Sequence, residues 1–287
     1  MIAVLTTIKL TEQEPCLSGQ PCILERMLSC PKIEFQSSDS VSDNRREKLQ
    51  QLSLAIVCPM ANEASTARRF VEQILDYCRP FGVVRMFAVV DRVSRDATRE
   101  ILDGIALNEP RLTVVWAPEN TNIVDAYLRG YREALASGAD WILEIDAGFS
   151  HQPRDIPQFF PFMLDGYDCI FGSRFMPGGR ITDSSLTRRI VSWGGSRLTN
   201  LLLGSKLRDM TSGFEMFTRN ALIFALEKGI HSRAHFFQTE IKLHCRHMKI
   251  REVPIHYKMA SPGIKGSSLS DAFGQLLRLF KERITVR

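Results

Sequence analysis

From residue 52 onward, short apolar runs alternate with segments of helical periodicity, and this alternation limits the fold more than any other feature. Strands are predicted at residues 54–59, 86–90, 112–116, 141–145 and 168–172. The segments near residues 63–78, 95–108, 123–137 and 153–165 carry apolar residues three and four positions apart, which predicts helices. Regular alternation of this kind predicts an α/β fold with a mainly parallel sheet flanked by helices.

Length and composition are those of an ordinary folded protein. The chain has 287 residues, of which 44% are apolar and 24% charged, and this excludes a disordered or coiled-coil chain. The formal net charge of +5 suits an anionic partner without indicating nucleic acid, and we expect none. The run 37–51 is polar and typical of a linker. We therefore expect an irregular extension at 1–51, a folded domain at 52–268 and a C-terminal helix at 269–287.

The cysteines and the apolar runs predict a location in the cytoplasm. Seven cysteines form no C-x-x-C pair, which argues against a zinc site or a disulfide framework and favours a reducing compartment. No apolar run approaches the roughly 20 residues that a transmembrane helix needs. The N-terminus has no basic leader or small-residue cleavage site, so a secretory signal is not expected.

Polar residues follow the predicted strands where ligands bind in parallel α/β sheets, at the carboxyl ends of the strands. Pro59, Asn62 and Glu63 follow the first strand, Asp91 follows the second, and Asp146 follows the fourth. A carboxylate such as Asp146 can ligate a divalent cation that also holds a diphosphate. The alternative for Asn62 and Asp146, and equally for Ser94 or Asp96, is a helix N-cap.

Eight motifs occur in a fixed order between about residues 52 and 270. They are P-x-x-N-E, D-x-x-S-x-D-x-T, I-D-A-x-x-S-H-x-P, G-S-R-F-x-P-G-G, R-R-x-x-S, D-x-T-S-G-F, Q-x-E and E-V-P-I. This order resembles the family 2 glycosyltransferases of the Rossmann-like GT-A fold, and most of all their dolichyl-phosphate mannosyltransferase and polyprenyl-phosphate glycosyltransferase branch. The fourth and sixth motifs together are specific, whereas P-x-x-N-E alone is weak.

The resemblance implies an inverting enzyme that moves a hexose from a GDP- or UDP-sugar to a polyprenyl or dolichyl phosphate. The nucleotide base is expected near residues 59–63 and Asp91, and Mg²⁺ or Mn²⁺ at Asp146. The resemblance assigns catalytic roles to Asp146, Arg174 and Arg189, and substrate-binding roles to Pro59, Asn62, Glu63, Asp91, Ser173, Ser192, Asp209, Ser212 and Glu240. Because an acceptor phosphate is already anionic, its second pKa being about 6, no strong general base is required. The arginines could instead form surface salt bridges, and Glu240 could be a solvated helix residue.

Several positions depart from the family pattern. Gly148 stands where the family has the second acid of its D-x-D motif, so the expected cation rests on Asp146 alone, and an aspartate at 148 is expected to tighten Mn²⁺ binding. Arg92 and Glu215 replace other family residues. Two alternatives therefore stay open: transfer to a soluble saccharide or small molecule, and a nucleotide-binding member with weakened catalysis.

The C-terminal segment reads as a basic amphipathic helix. Its apolar stripe consists of Phe273, Leu276, Leu277, Phe280 and Ile284, flanked by Arg278, Lys281 and Arg283. Such a helix can lie on an anionic membrane, here through residues 271–285, which would make the protein peripheral on the cytoplasmic face. The more common use of such a stripe is packing against the core.

Overall fold

Strands and helices alternate along the chain as the sequence predicts. A computed structural model describes residues 39–183, 186–258 and 266–285. The strands are β1 Ser53–Pro59, β2 Val83–Val90, β3 Leu112–Trp116, β4 Trp141–Glu144, β5 Cys169–Ser173, β6 Arg180–Thr182, β7 Glu215–Thr218, β8 Ile250–Pro254 and β9 His256–Lys258. The helices are α1 Asp39–Gln50, α2 Ala67–Tyr77, α3 Thr98–Ala106, α4 Ile123–Ala136, α5 Phe160–Met163, α6 Leu186–Leu203, α7 Arg219–Glu227, α8 Phe236–His244 and α9 Gly266–Thr285, with a 3₁₀ helix at Pro153–Gln158.

Seven strands form one mixed sheet in the order β3-β2-β1-β4-β7-β5-β8. Strands β1 to β4 are parallel to one another, whereas β7 runs antiparallel to both β4 and β5. Strands β6 and β9 form a separate parallel pair. The parallel half brings the carboxyl ends of β1, β2 and β4 to one edge, where ligands bind in such folds.

Helices cover both faces of the sheet, and each face buries its own apolar cluster. One cluster contains Ile56, Met86 and Leu143, and the other contains Val57, Val89 and Ile142. Neighbouring residues of one strand, such as Ile56 and Val57, therefore lie on opposite faces, which explains why these strands are continuous apolar runs. The predicted mainly parallel sheet flanked by helices is confirmed.

Helix α4 places two tyrosines against the sheet near the carboxyl end of β4. Its N-cap is Asn122, whose side chain accepts hydrogen bonds from the amides of Val124 and Asp125 at 2.9 and 3.2 Å. A Cβ at Gly130 would lie 2.3 Å from Val57 Cγ1, so only glycine allows the helix to approach β1 this closely. Tyr127 and Tyr131, one helical turn apart, are consequently buried against the sheet.

The N-terminal prediction was wrong where it can be compared with the structure. Residues 39–50 of the predicted linker form α1, in which the buried Leu49 joins the core and Arg45 lies 3.5 Å from Asp165. The polar sequence has little helical amphipathicity of its own, so these tertiary contacts stabilise the helix. Residues 1–38 of the predicted extension lie outside the described part of the chain.

The predicted C-terminal helix is present as α9, but its apolar stripe is divided. Leu276 and Leu279 are buried with Leu203 and Phe236. The half-buried Phe280 packs against the same cluster, and Phe273, Leu277 and Ile284 stay exposed. Within the described ranges, no helix combines the length and the apolar character needed to cross a bilayer.

Candidate active site

The loops that follow β1 and β2 are bound to each other by hydrogen bonds from the predicted motif residues. Asn62 has a φ of 60°, and its side chain donates to Val93 O and accepts from the amide of Arg95, both at 3.0 Å. Its own amide donates to Ser94 Oγ at 3.1 Å. Asn62 is therefore not the N-cap of α2; it holds two strand-end loops together.

Asp91 and Asp96 complete this double loop. Asp91 is 8% exposed and accepts a hydrogen bond from the amide of Val93 at 2.9 Å. Asp96 accepts from the amides of Ala64 and Thr98 at 2.9 and 3.1 Å, so it supports the start of α3, as a capping residue would. Hydrogen bonds, first of all from Thr98, lower the pKa of Asp96. These hydrogen bonds hold the loops after β1 and β2 together beside Pro59, the last residue of β1.

Asp146 follows β4 and lies next to two buried side chains, of which Tyr127 holds it by a hydrogen bond. The Tyr127 hydroxyl donates to Asp146 Oδ1, and His151 Nδ1 lies 3.3 Å from Oδ2. Burial, followed by the charge of Asp146, raises the pKa of Tyr127 well above its usual value. Burial lowers the pKa of His151 to about 4, although the Asp146 charge opposes this shift. Near neutral pH, Asp146 thus lies between a neutral phenol and a neutral imidazole, with 31% of its side chain exposed.

The turn after Asp146 brings the carboxylate of Glu63 next to Gly148. Gly148 has a φ of 73°, in the left-handed region that favours glycine. A Cβ placed on Gly148 would lie 2.6 and 2.9 Å from the two carboxylate oxygens of Glu63. Glu63 Oε2 accepts a hydrogen bond from the Thr66 hydroxyl at 2.5 Å. Burial raises the pKa of Glu63, partly offset by this hydrogen bond.

Arg174 and Asp209 form a buried bidentate ion pair next to the end of β5. Arg174 Nε and Nη2 each lie 2.7 Å from a carboxylate oxygen of Asp209, and Nη2 also donates to Thr211 at 2.6 Å. The two side chains are 9% and 0% exposed. Burial alone would raise the pKa of Asp209, but the Arg174 charge and hydrogen bonds outweigh it and lower the pKa to about 2. The alternative of a surface salt bridge is therefore wrong for Arg174.

A second group of buried charges, which sequence reasoning missed, lies where β4 and β7 pair. Glu144 and Glu215 face each other in the register and are fully buried. Lys242 Nζ lies 2.7 Å from Glu215 Oε1, and Gln238 donates to Glu144 at 2.9 Å. Tyr131 also donates to Glu144. Glu215, which departs from the family pattern, is thus one half of an internal ion pair with Lys242.

This cluster predicts how stability depends on pH. Burial raises the pKa of Glu215 from 4.5 to about 7, although Lys242 opposes the shift. Because the folded state holds this proton more tightly than the unfolded state, the contribution of Glu215 to the free energy of unfolding should fall between pH 4.5 and pH 7. His151 acts in the opposite sense between pH 4 and 6.5, so a comparison with Glu215→Gln is needed. The melting temperature of the original protein should decline relative to that variant as pH rises; parallel profiles would contradict the assignment.

The other predicted site residues occupy different environments. Ser173 and Ser212 are buried, and the Ser173 hydroxyl has no hydrogen-bond partner among the described residues. Ser192 is half-buried on α6. Arg189 belongs to α6 as well, but its side chain lies outside the described part of the structure.

Glu240 is not a solvated helix residue. Its side chain is fully buried in α8. The carboxylate accepts hydrogen bonds from the amides of His231 and Ser232 and from Arg278 of α9. Glu240 therefore holds the loop before α8 and the C-terminal helix together.

The structure brings the predicted residues Pro59, Asn62, Glu63, Asp91 and Asp146 to one edge of the sheet. Sequence reasoning missed Tyr127 as a partner of Asp146. Tyr127 carried no local signal beyond the helical spacing that buries it. An acid held at a strand end, next to two loops that are hydrogen-bonded to each other, can bind a charged ligand.

Comparison with known proteins agrees with this geometry. Residues 55–224 match the family model described as "Glycosyl transferase family 2". The undecaprenyl-phosphate mannosyltransferase of Micrococcus luteus is 31% identical over 171 residues, which are 59% of this chain and 70% of that protein. The polyprenol monophosphomannose synthase of Mycolicibacterium smegmatis is 26% identical over 223 residues, covering 76% of this chain and 83% of that one.

A solved structure shares the fold. Glucosyl-3-phosphoglycerate synthase from Mycobacterium tuberculosis, crystallised with Mn²⁺, uridine diphosphate and phosphoglyceric acid, superposes with a TM-score of 0.58 at 17% identity. The match covers 83% of this chain and 82% of that one. At this identity the likeness concerns the fold alone.

Proposed function

The chain belongs to glycosyl transferase family 2 and is a glycosyltransferase, and we propose that it moves a hexose from a GDP- or UDP-sugar to a polyprenyl or dolichyl phosphate. The reaction would invert the anomeric carbon. The observation that carries the proposal is the fixed carboxylate of Asp146 at the carboxyl edge of the sheet, beside the double loop of Asn62 and Asp91. The acceptor is inferred from relatives that are named for undecaprenyl phosphate and polyprenol.

The residues at this edge suit a reaction whose acceptor is already charged. The acceptor phosphate needs no strong base to become a nucleophile, because its second pKa is about 6. His151, neutral near pH 7 and 1% exposed, is consistent with a supporting role beside Asp146. In the proposal, Arg174 and Arg189 hold phosphate oxygens, which match guanidinium geometry. The buried carboxylate of Asp209 would keep Arg174 oriented.

A divalent cation is part of the proposal, and the side chains present are compatible with one. The described residues contain no group of three or more metal-ligating side chains. Mg²⁺ needs fewer protein ligands than three, because it is usually bound through one or two carboxylates together with substrate phosphates. Asp146 would hold the cation, which when bound would neutralise charge on the departing nucleoside diphosphate.

The proposed function is tested by direct transfer. Radiolabelled GDP-mannose or UDP-glucose is incubated with the protein, Mg²⁺ or Mn²⁺, and undecaprenyl or dolichyl phosphate in detergent. Label in a chloroform-soluble sugar phospholipid is the expected result. Label found only in water-soluble products would show that the acceptor is not a lipid phosphate. Nucleotide binding without any transfer would show that the protein binds nucleotides but does not catalyse the reaction.

We further propose that the protein lies on the cytoplasmic face of a membrane through the exposed part of α9. Phe273, Leu277 and Ile284 are 61%, 41% and 58% exposed. Two of the cations that flank them are engaged within the protein, since Arg278 donates to Glu240 and Glu282, and Arg283 to the carbonyls of Leu201 and Leu202. Insertion of the apolar side chains should therefore contribute more than charge, and binding to anionic vesicles should persist when salt is raised.

A triple substitution of Phe273, Leu277 and Ile284 to serine should abolish co-sedimentation with phosphatidylglycerol vesicles. Deleting α9 is a poorer test, because it would expose the cluster around Leu203 and remove Arg278 from Glu240. Leu107→Ser, directly after α3, where Leu107 is 86% exposed, is the matched control and should leave binding unchanged. Full binding by the triple variant, or none by the original protein, would contradict the membrane proposal.

A further inference from the structure

We propose that Glu63 supplies the second carboxylate of a divalent-cation site whose first carboxylate is Asp146. The inference rests on the proposed function, which places a cation and a nucleoside diphosphate at Asp146. It begins from the turn after β4, where residue 148 has no side chain and Asp146 lies two positions earlier.

The space that a side chain at position 148 would enter is occupied by another carboxylate. A Cβ on Gly148 would lie 2.6 Å from Glu63 Oε1, 2.9 Å from Oε2 and 3.0 Å from Cδ. The carboxylate of Glu63 therefore lies where an acid at 148 would project. Glu63 comes from the loop after β1, and β1 pairs with β4, so the two loops are neighbours because of the sheet order.

Glu63 is held in this position from several sides. Its amide donates to Thr98 Oγ1 at 2.7 Å, and its carbonyl accepts from the amide of Ala67 at 2.7 Å. The Thr66 hydroxyl donates to Oε2 at 2.5 Å. Oε1, the oxygen closest to Gly148, accepts no hydrogen bond from the described residues, which leaves it available to a cation.

The buried His151 gives an independent indication that a ligand belongs here. It is 1% exposed, and neither ring nitrogen has a hydrogen-bond partner among the described residues. Its Nδ1 nevertheless lies 3.3 Å from Asp146 Oδ2. Buried polar atoms in native proteins are almost always satisfied, so an unsatisfied ring beside Asp146 points to a group that completes this site. Two carboxylates and the oxygens of a diphosphate are a common ligand set for Mg²⁺ and Mn²⁺.

The arrangement reverses the expectation for Gly148→Asp. In the original protein a new aspartate would place its Cβ against the Glu63 carboxylate and one negative charge against another. When Glu63 is replaced by alanine, the same aspartate would enter vacated space, and aspartate is among the residues that adopt a positive φ. A carboxylate at position 63 or at position 148 should therefore complete the cation site equally well, but carboxylates at both positions should not bind the cation more tightly than one.

The test measures Mn²⁺ binding by the electron paramagnetic resonance signal of free Mn²⁺, in the presence of GDP or UDP. Glu63→Gln and Glu63→Ala should weaken Mn²⁺ binding by at least roughly tenfold. Gly148→Asp alone should not tighten it, and the Glu63→Ala/Gly148→Asp double variant should regain most of the lost affinity. Glu72→Gln on the exposed face of α2 is the matched control and should bind as the original protein does.

The outcomes separate this inference from the proposed function. Undiminished Mn²⁺ affinity in a folded Glu63→Gln variant overturns the role of Glu63 while the cation and the transfer reaction stand. A folded double variant that regains no affinity likewise overturns the exchange of positions. No nucleotide-dependent Mn²⁺ binding by the original protein overturns the cation site itself, and sugar transfer without added metal would then show that the reaction does not use one.

Discussion

Replacing Asp146 with asparagine should lower sugar transfer by roughly 10²–10³-fold while the fold stays intact. The substitution removes the charge that the site offers to a cation and diphosphate, yet the amide oxygen can still accept the hydrogen bond from Tyr127. Asparagine is a sharper choice than alanine, which would leave the fully buried Tyr127 hydroxyl without its partner. The measurement is kcat with saturating donor, together with the melting temperature.

The control for this experiment is Asp103→Asn on the surface of α3. Asp103 lies 3.6 Å from Arg99 with 54% of its side chain exposed, so its charge is largely solvated. Transfer by this variant should match that of the original protein. If Asp146→Asn also transfers sugar at a near-normal rate and is folded, Asp146 has no part in the mechanism.

The main strands could be predicted because burial on both faces makes each one a continuous apolar run. Strand β3 begins and ends where the sequence predicted, and β1 is longer by one residue. Strand β7 was not predicted, because it has four residues and starts at the buried Glu215. Its ion pair with Lys242, which lies 27 positions later in the sequence, gives no local signal. Helix α1 was missed for a similar reason, since Leu49 is its only buried residue among 43–50.

In the candidate site, too, some features follow from the local sequence and others from contacts between residues that are far apart in the sequence. The parallel sheet alone predicts that polar residues after its strands lie at one edge, as Asn62, Asp91 and Asp146 do. The partners that orient them come from elsewhere: Tyr127 lies on α4, 19 positions before Asp146. Glu63 occupies the space beside Gly148 because β1 pairs with β4. The sequence motif alone shows only that residue 148 is not an acid.

Breaking the buried pair of Arg174 and Asp209 should have the largest effect on stability. Arg174→Met, which keeps a long apolar side chain, would leave the fully buried Asp209 carboxylate without its bidentate partner. Removing one member of such a pair typically lowers the free energy of unfolding by about 3–5 kcal/mol. We expect this loss in urea unfolding at pH 7. It should shrink in strong acid, because Asp209 contributes stability above pH 3.8 that is lost as the pH falls through about 2.

A double variant and a surface control test whether the loss of stability is specific to this ion pair. In Arg174→Met/Asp209→Leu no charge is left buried and unpaired, so the loss should be clearly smaller than the sum of the two single substitutions. Arg79→Met, at an exposed pair with Asp76, should change stability little. Simple additivity of Arg174→Met and Asp209→Leu would mean that the two side chains are not coupled. The orientation of Arg174 toward phosphate in the proposed reaction would then need another source.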